Sequence, residues 1–265
     1  MSMAARIYLA VLGVVGLITG AVLVTRPDQT ADYFVWPISP PATAMFIGAG
    51  YLGTGITLLA ALAYARSWSQ VRLFVLPVAV FAVLMLTATG LHADRFFWDR
   101  PQTWLWISLY GVILIGAVGL TVTERRAIDG LGVRRLTGAQ SGLLAGAGLL
   151  MGVWAATMFL APTLANTFWP WMLTPLTARV VGAWVGVGAA LGLAAGLTGD
   201  LSSLKLPLTG WMITVVLFIL TGLASLAAMT ADDPRTWLYF GALGLSIPGA
   251  AWMLRGSAGR ESLTR

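Results

Sequence analysis

Cysteine is absent from the 265 residues, and histidine occurs once. The first absence excludes disulfides, thiolate metal sites and thiol nucleophiles. The second excludes a bis-histidine haem within one chain and deprives a closed zinc site of its usual ligands, so no metal and no cofactor is expected. Charge is scarce as well. Asp, Glu, Lys and Arg make up 10% of the chain, against about 25% in ordinary soluble domains. Long polar stretches are also missing: no connecting segment exceeds about seventeen residues, too short for a separate soluble domain. No phosphate-cradling glycine loop is present, and no charged residue lies near the middle of an apolar run, which argues against ATPase, ion-coupled pump and voltage-sensor mechanisms.

What the chain has is apolar length. Hydrophobic residues account for 58% and the mean hydropathy is +0.84. A membrane-spanning helix needs about 20 apolar residues. Eight runs qualify, near residues 6–25, 43–65, 72–91, 103–122, 139–160, 178–198, 207–229 and 236–254. Runs such as Val71–Leu86 carry apolar residues on every face, Arg72 at their start being the one charge, where barrel strands would alternate. The first run is followed by Leu23-Val24-Thr25-Arg26-Pro27 rather than a small-residue cleavage site, and reads as a retained helix. The expected fold is all-α and polytopic.

With eight spans, the termini and the second, fourth and sixth loops share one side. That side carries eleven of the sixteen basic residues and four of the ten acids. Basic loops stay in the cytoplasm, so both termini are expected inside. The basic pI of about 10.3 is then a signature of topology and of anionic lipid headgroups, not of nucleic-acid binding. An Arg-over-Lys, Ala/Gly/Leu-rich composition points to a GC-rich bacterial genome and its plasma membrane. Trp36, Trp98, Trp104, Trp106, Trp169, Trp171 and Trp237 fall near the outer interface and read as anchors there.

An offset of 133 residues organises the chain. Asp99-Arg100-Pro101-Gln102-Thr103-Trp104-Leu105-Trp106 meets Asp232-Asp233-Pro234-Arg235-Thr236-Trp237-Leu238-Tyr239, and Trp36-Pro37 meets Trp169-Pro170. After a one-residue insertion, Pro41, Thr43, Ala44 and Gly48 meet Pro175, Thr177, Ala178 and Gly182. The expected organisation is two four-helix halves of the same topology, 1–125 and 139–265, joined by a basic cytoplasmic linker at 126–138, with a pseudo-two-fold axis along the membrane normal. Pro101 and Pro234 fit helix starts, with Asp99, Asp232, Thr103 and Thr236 available to cap them. Glycines at 16 and 20, at 142, 146, 148 and 152, and at 182, 186, 192 and 196 are expected at close helix contacts. Pro77 and Pro248 are expected to kink their helices.

Polar residues present in one half only are the candidates for function. His92, Asp94 and Arg95 face Ser225, Ala227 and Ala228, and Arg179 faces Met45. His92 could transfer protons with Asp94 orienting it, while Arg95 and Arg179 could hold an anionic group. The bland alternative is a polar helix end in which Asp94 pairs with Arg95 or Arg100. Trp36 and Trp169 are candidate contacts for an apolar ligand. Mid-span polarity is confined to threonines, serines, Tyr51, Tyr110, Trp154 and Trp184, most of them expected to bond their own helix.

The first functional expectation is a non-enzymatic protein that binds or transports a small apolar or amphipathic, lipid-like solute in a cleft between the two halves. The second is an enzyme of lipid-linked substrates built on His92, Asp94 and Arg95. The third is a non-catalytic subunit of a membrane complex, alone or as a homo-oligomer. In each, membrane lipids are the surroundings.

Overall fold

A computed structural model describes residues 1–124 and 135–258, where the chain is all-helical. Residues 126–134 of the expected linker lie outside the described residues. Eight helices are long and apolar enough to cross a membrane. They are α1 (Met3–Thr25), α3 (Pro41–Tyr64), α4 (Val75–Leu91), α5 (Pro101–Thr123), α6 (Gly138–Leu160), α8 (Pro175–Thr198), α9 (Leu201–Ala224) and α10 (Pro234–Ala258). Two single-turn helices, α2 (Thr30–Tyr33) and α7 (Pro162–Ala165), follow α1 and α6.

Proline at the first helical position starts α3, α5, α8 and α10, where its missing amide costs nothing. Thr137 and Gln140 form a reciprocal capping box on α6, and the Thr174 hydroxyl accepts from the Thr177 amide on α8. Thr103 and Thr236 do something other than cap. Their hydroxyls donate backwards to the carbonyls of Phe97 (2.6 Å) and Thr230 (2.9 Å), tying each helix start to the loop before it. Trp104 and Trp237 repeat the device, donating to Trp98 and Ala231. These bonds recur at the offset of 133.

Two sequence expectations change. Pro77 is the third residue of α4, inside the first turn, where no intrahelical bond is lost and no kink is called for. Helix α9 starts at Leu201, six residues before the expected run at 207–229, and carries Pro207 in its second turn.

The helices pair first within each expected half. α1 packs on α3 and α6 on α8; α4 packs on α5 and α9 on α10. The remaining large contacts run from α3 to α9 and from α4 to α8. Each half therefore lacks a core of its own: its two helix pairs are joined mainly through the other half. The inner helices α3 and α8 are more than half buried, whereas α1, α5, α6 and α10 present Ile7, Ile115, Leu150 and Leu245 on the outside.

Small residues set the closest approaches. A β-carbon on Gly20 would lie 2.6 Å from the Gly48 carbonyl oxygen and the Leu52 amide nitrogen, and one on Gly148 would lie 2.5 Å from the Leu193 nitrogen. Backbones this close gain dispersion contacts that lipid cannot replace. Gly142 and Gly146, expected at contacts, meet nothing within 4 Å. Gly20→Ala is therefore expected to lower stability by about 1–3 kcal/mol, the usual cost of overpacking. Gly142→Ala should be neutral or stabilising by up to about 1 kcal/mol. Thermal unfolding of both variants in detergent checks the contrast.

Candidate functional site

The one histidine sits at the carboxyl end of α4, and Arg179 stands in the second turn of α8. The Arg179 Nη1 group donates to His92 Nε2 at 2.6 Å, which leaves the ring proton on Nδ1. Asp94 turns away and pairs with Arg95 at 3.1 Å, both side chains being exposed. So the partner of His92 is Arg179, and the expected His92–Asp94 dyad is replaced by an exposed Asp94–Arg95 pair. The four residues line none of the principal cavities. Partial burial, then the Arg179 guanidinium, lower the imidazole pKa from its ordinary value, outweighing the opposite pull of Asp94.

At the other end of the bundle, Arg72 and the buried Asp200 join at 2.6 Å, clamping the start of α4 to the α8–α9 turn. Gly199 takes the left-handed conformation that makes this turn, with φ at 61°.

The tryptophans divide into two groups. Trp98, Trp104 and Trp237 are exposed, as interface anchors would be. Trp36, Trp106, Trp169 and Trp171 are buried instead. They pack edge-on with Phe34, Phe46, Tyr110 and Tyr239 in two aromatic clusters. A tryptophan near a span end has the same sequence signature whether it faces lipid or the core. Trp36 lines no principal cavity, whereas Trp169 does.

That cavity, about 400 Å³, lies among α6, α8, α9 and α10, with Phe46 of α3 at its back. Its walls are apolar: Trp154, Phe168, Trp169, Trp184, Phe218 and Tyr239 dominate one end. A second cavity of about 240 Å³ continues toward the amino-terminal end of the bundle, and the two share Met151, Trp211 and Ser246. Leu143, Leu150, Leu238 and Leu245 line them and are exposed, so both open on the apolar outer surface between α6 and α10. The space between the halves, among α3, α4, α8 and α9, is only about 60 Å³, room for a few waters. The expected inter-half cleft is closed because α3 packs on α9 and α4 on α8.

The hollow has a physical origin in side-chain size. Val185, Ala242, Leu243 and Ser246 line it, and the matching positions of the first half hold Tyr51, Leu109, Tyr110 and Ile113. Tyr51 and Tyr110 fill that space and bond hydroxyl to hydroxyl. Tyr8 of α1 closes the outer gap by donating to the Ile113 carbonyl at 2.9 Å. α1 and α6 match at an offset of 135, which puts Leu143 opposite Tyr8. Tyr51 and Tyr110 are themselves polar residues present in one half only, and the smaller residues that face them mark the hollow.

Compared with known proteins, the chain matches no family model, no curated protein and no solved structure.

The His92–Arg179 contact carries a pH signature. Because the folded imidazole resists protonation, its contribution to stability is fully present above the ordinary pKa of about 6.5 and is lost as pH falls through the lower folded value. Thermal scans from about pH 7.5 to about pH 5 should show stability declining at the acid end, with His92→Gln flattening the decline. An unchanged slope in the variant would assign it to other groups.

Proposed function

We propose that the chain binds or transports a small apolar or amphipathic, lipid-like solute, and that its site is the hollow among α6, α8, α9 and α10. The observation that carries this is the cavity of about 400 Å³ with apolar walls and a mouth between two outer helices. Enclosed and empty, a void of that size would cost on the order of 10 kcal/mol. Water gains little there, since few wall atoms can hydrogen-bond it. A hydrocarbon-rich solute restores the missing contacts.

The same reading takes the two halves as parallel repeats, one sealed and one hollow. The recurring helix starts, hydrogen bonds and helix pairings, at offsets of 133 to 135, support the duplication. The charge distribution supports both termini in the cytoplasm, and the Arg-over-Lys, Ala/Gly/Leu-rich composition supports a bacterial plasma membrane. The solute then enters sideways from the bilayer, at the face of α6 and α10.

Filling the hollow tests the site. Val185→Tyr with Leu243→Tyr transplants the tyrosine pair of the first half. The double variant is expected to keep or raise the melting temperature and to lose co-purifying lipid-like molecules, as read by native mass spectrometry from nanodiscs. Retention at the wild-type stoichiometry would move the site elsewhere.

A further inference from the structure

The walls of the hollow are apolar but not without a polar handle. Two indole nitrogens of its walls, those of Trp169 and Trp184, have no acceptor among the described residues, and each is sealed from solvent-sized molecules. Trp211 differs. Like Trp154 on the hollow's wall, it is half-buried, has no hydrogen-bond acceptor among the described residues and is absent from the sealed group, but it stands near the midpoint of α9. It lines the hollow, its continuation and the small central space alike. Gly188 seats it: a β-carbon there would lie 2.8 Å from Cη2 and 2.9 Å from Cζ3, so the six-membered ring edge rests on bare backbone.

An indole N–H at mid-bilayer depth without a partner is costly, since neither lipid tails nor trapped water replace the bond well. A solute oxygen would satisfy it. No Asp, Glu, His, Lys or Arg lines any of the three spaces, so nothing there neutralises an ionic group. The acceptor must therefore belong to an uncharged solute. Aromatic rings, among them Trp154, Phe168 and Trp184, also line the hollow and favour a flat partner. Below Trp211, the continuation lined by Leu144, Leu204 and Leu208 suits a chain.

We propose that the solute is a neutral lipid with a flat, carbonyl-bearing ring and an apolar tail, a quinone being the simplest case. Its carbonyl oxygen accepts from Trp211 Nε1. This rests on the reading of the hollow as a solute site and adds the chemical class and the residue that selects it.

The test compares decyl-p-benzoquinone with decylbenzene, which has a flat six-carbon ring of similar size and the same tail but no oxygen. Binding to the full chain in nanodiscs is measured by native mass spectrometry against protein-free nanodiscs. The wild type is expected to hold the quinone about tenfold more tightly, the worth of one hydrogen bond in apolar surroundings. Trp211→Phe should bring the quinone to the level of decylbenzene and leave decylbenzene unchanged. Val185→Tyr with Leu243→Tyr should lose both. Equal binding of the two probes by the wild type, which needs no variant to fold, would overturn the carbonyl assignment while leaving the hollow as a site. So would a quinone preference that survives Trp211→Phe. Binding of neither probe by the wild type would overturn the site as well.

Discussion

The structure depends on close packing between α3 and α9 and between α4 and α8. In lipid, helices have no hydrophobic reason to associate, because hydrocarbon solvates a leucine as well as another helix does. What holds them is contact density, and contact density needs small residues where backbones approach. Gly53 against Thr214 and Gly210 against Thr57 supply it on the α3–α9 face. Gly50, whose missing side chain makes room for the Trp184 indole, seats α8 beside α3. These contacts cross from one half of the sequence to the other, so neither half can be a finished bundle alone.

Interleaving has a consequence for where a solute can go. A pair of separate bundles would leave a seam between them, whereas interleaved helices fill that seam with α3, α4, α8 and α9. Space is left only toward the periphery, between an outer helix pair. There are two such places, between α1 and α5 and between α6 and α10. In the first, Tyr8, Tyr51 and Tyr110 supply bulk and hydroxyl bonds that close it. In the second, Leu143, Val185 and Leu243 are too small to do so, and the hollow remains. The proposed site is thus a matter of smaller side chains between α6 and α10 than between α1 and α5.

The eight spans were legible because lipid imposes one rule on all of them: a long apolar run must satisfy its own amides by coiling. Helix starts at Pro101 and Pro234 were legible for a similar local reason. The start of α9 was not, because Pro207 looks like a first-turn proline until the preceding Leu201–Leu206 turn is seen to be helical. Which tryptophans face lipid and which glycines touch a neighbour depend on partners far along the chain, and a single sequence carries no record of pairing. Gly142 and Gly148 are indistinguishable by spacing, yet only the second meets a backbone. Of the candidate site residues, His92 and Arg179 meet, Asp94 and Arg95 form an exposed pair, and Trp169 borders the hollow while Trp36 does not. Trp211 faces Val78 at the offset of 133, and Val185 and Leu243 face Tyr51 and Tyr110; that these positions border one hollow depends on how α6, α8, α9 and α10 pack, which spacing along the chain does not record.

The interleaved core is the claim on which the rest stands, and the absence of cysteine makes it directly testable. A β-carbon on Gly186 of α8 would lie 4.0 Å from Val80 Cγ1 of α4. The double variant Val80→Cys, Gly186→Cys should form an intramolecular disulfide on mild oxidation in native membranes, seen as a reducible shift in gel mobility. Failure to form it while the protein remains folded and inserted would mean that α4 and α8 are not neighbours. The closed centre and the peripheral hollow would then both have to be given up.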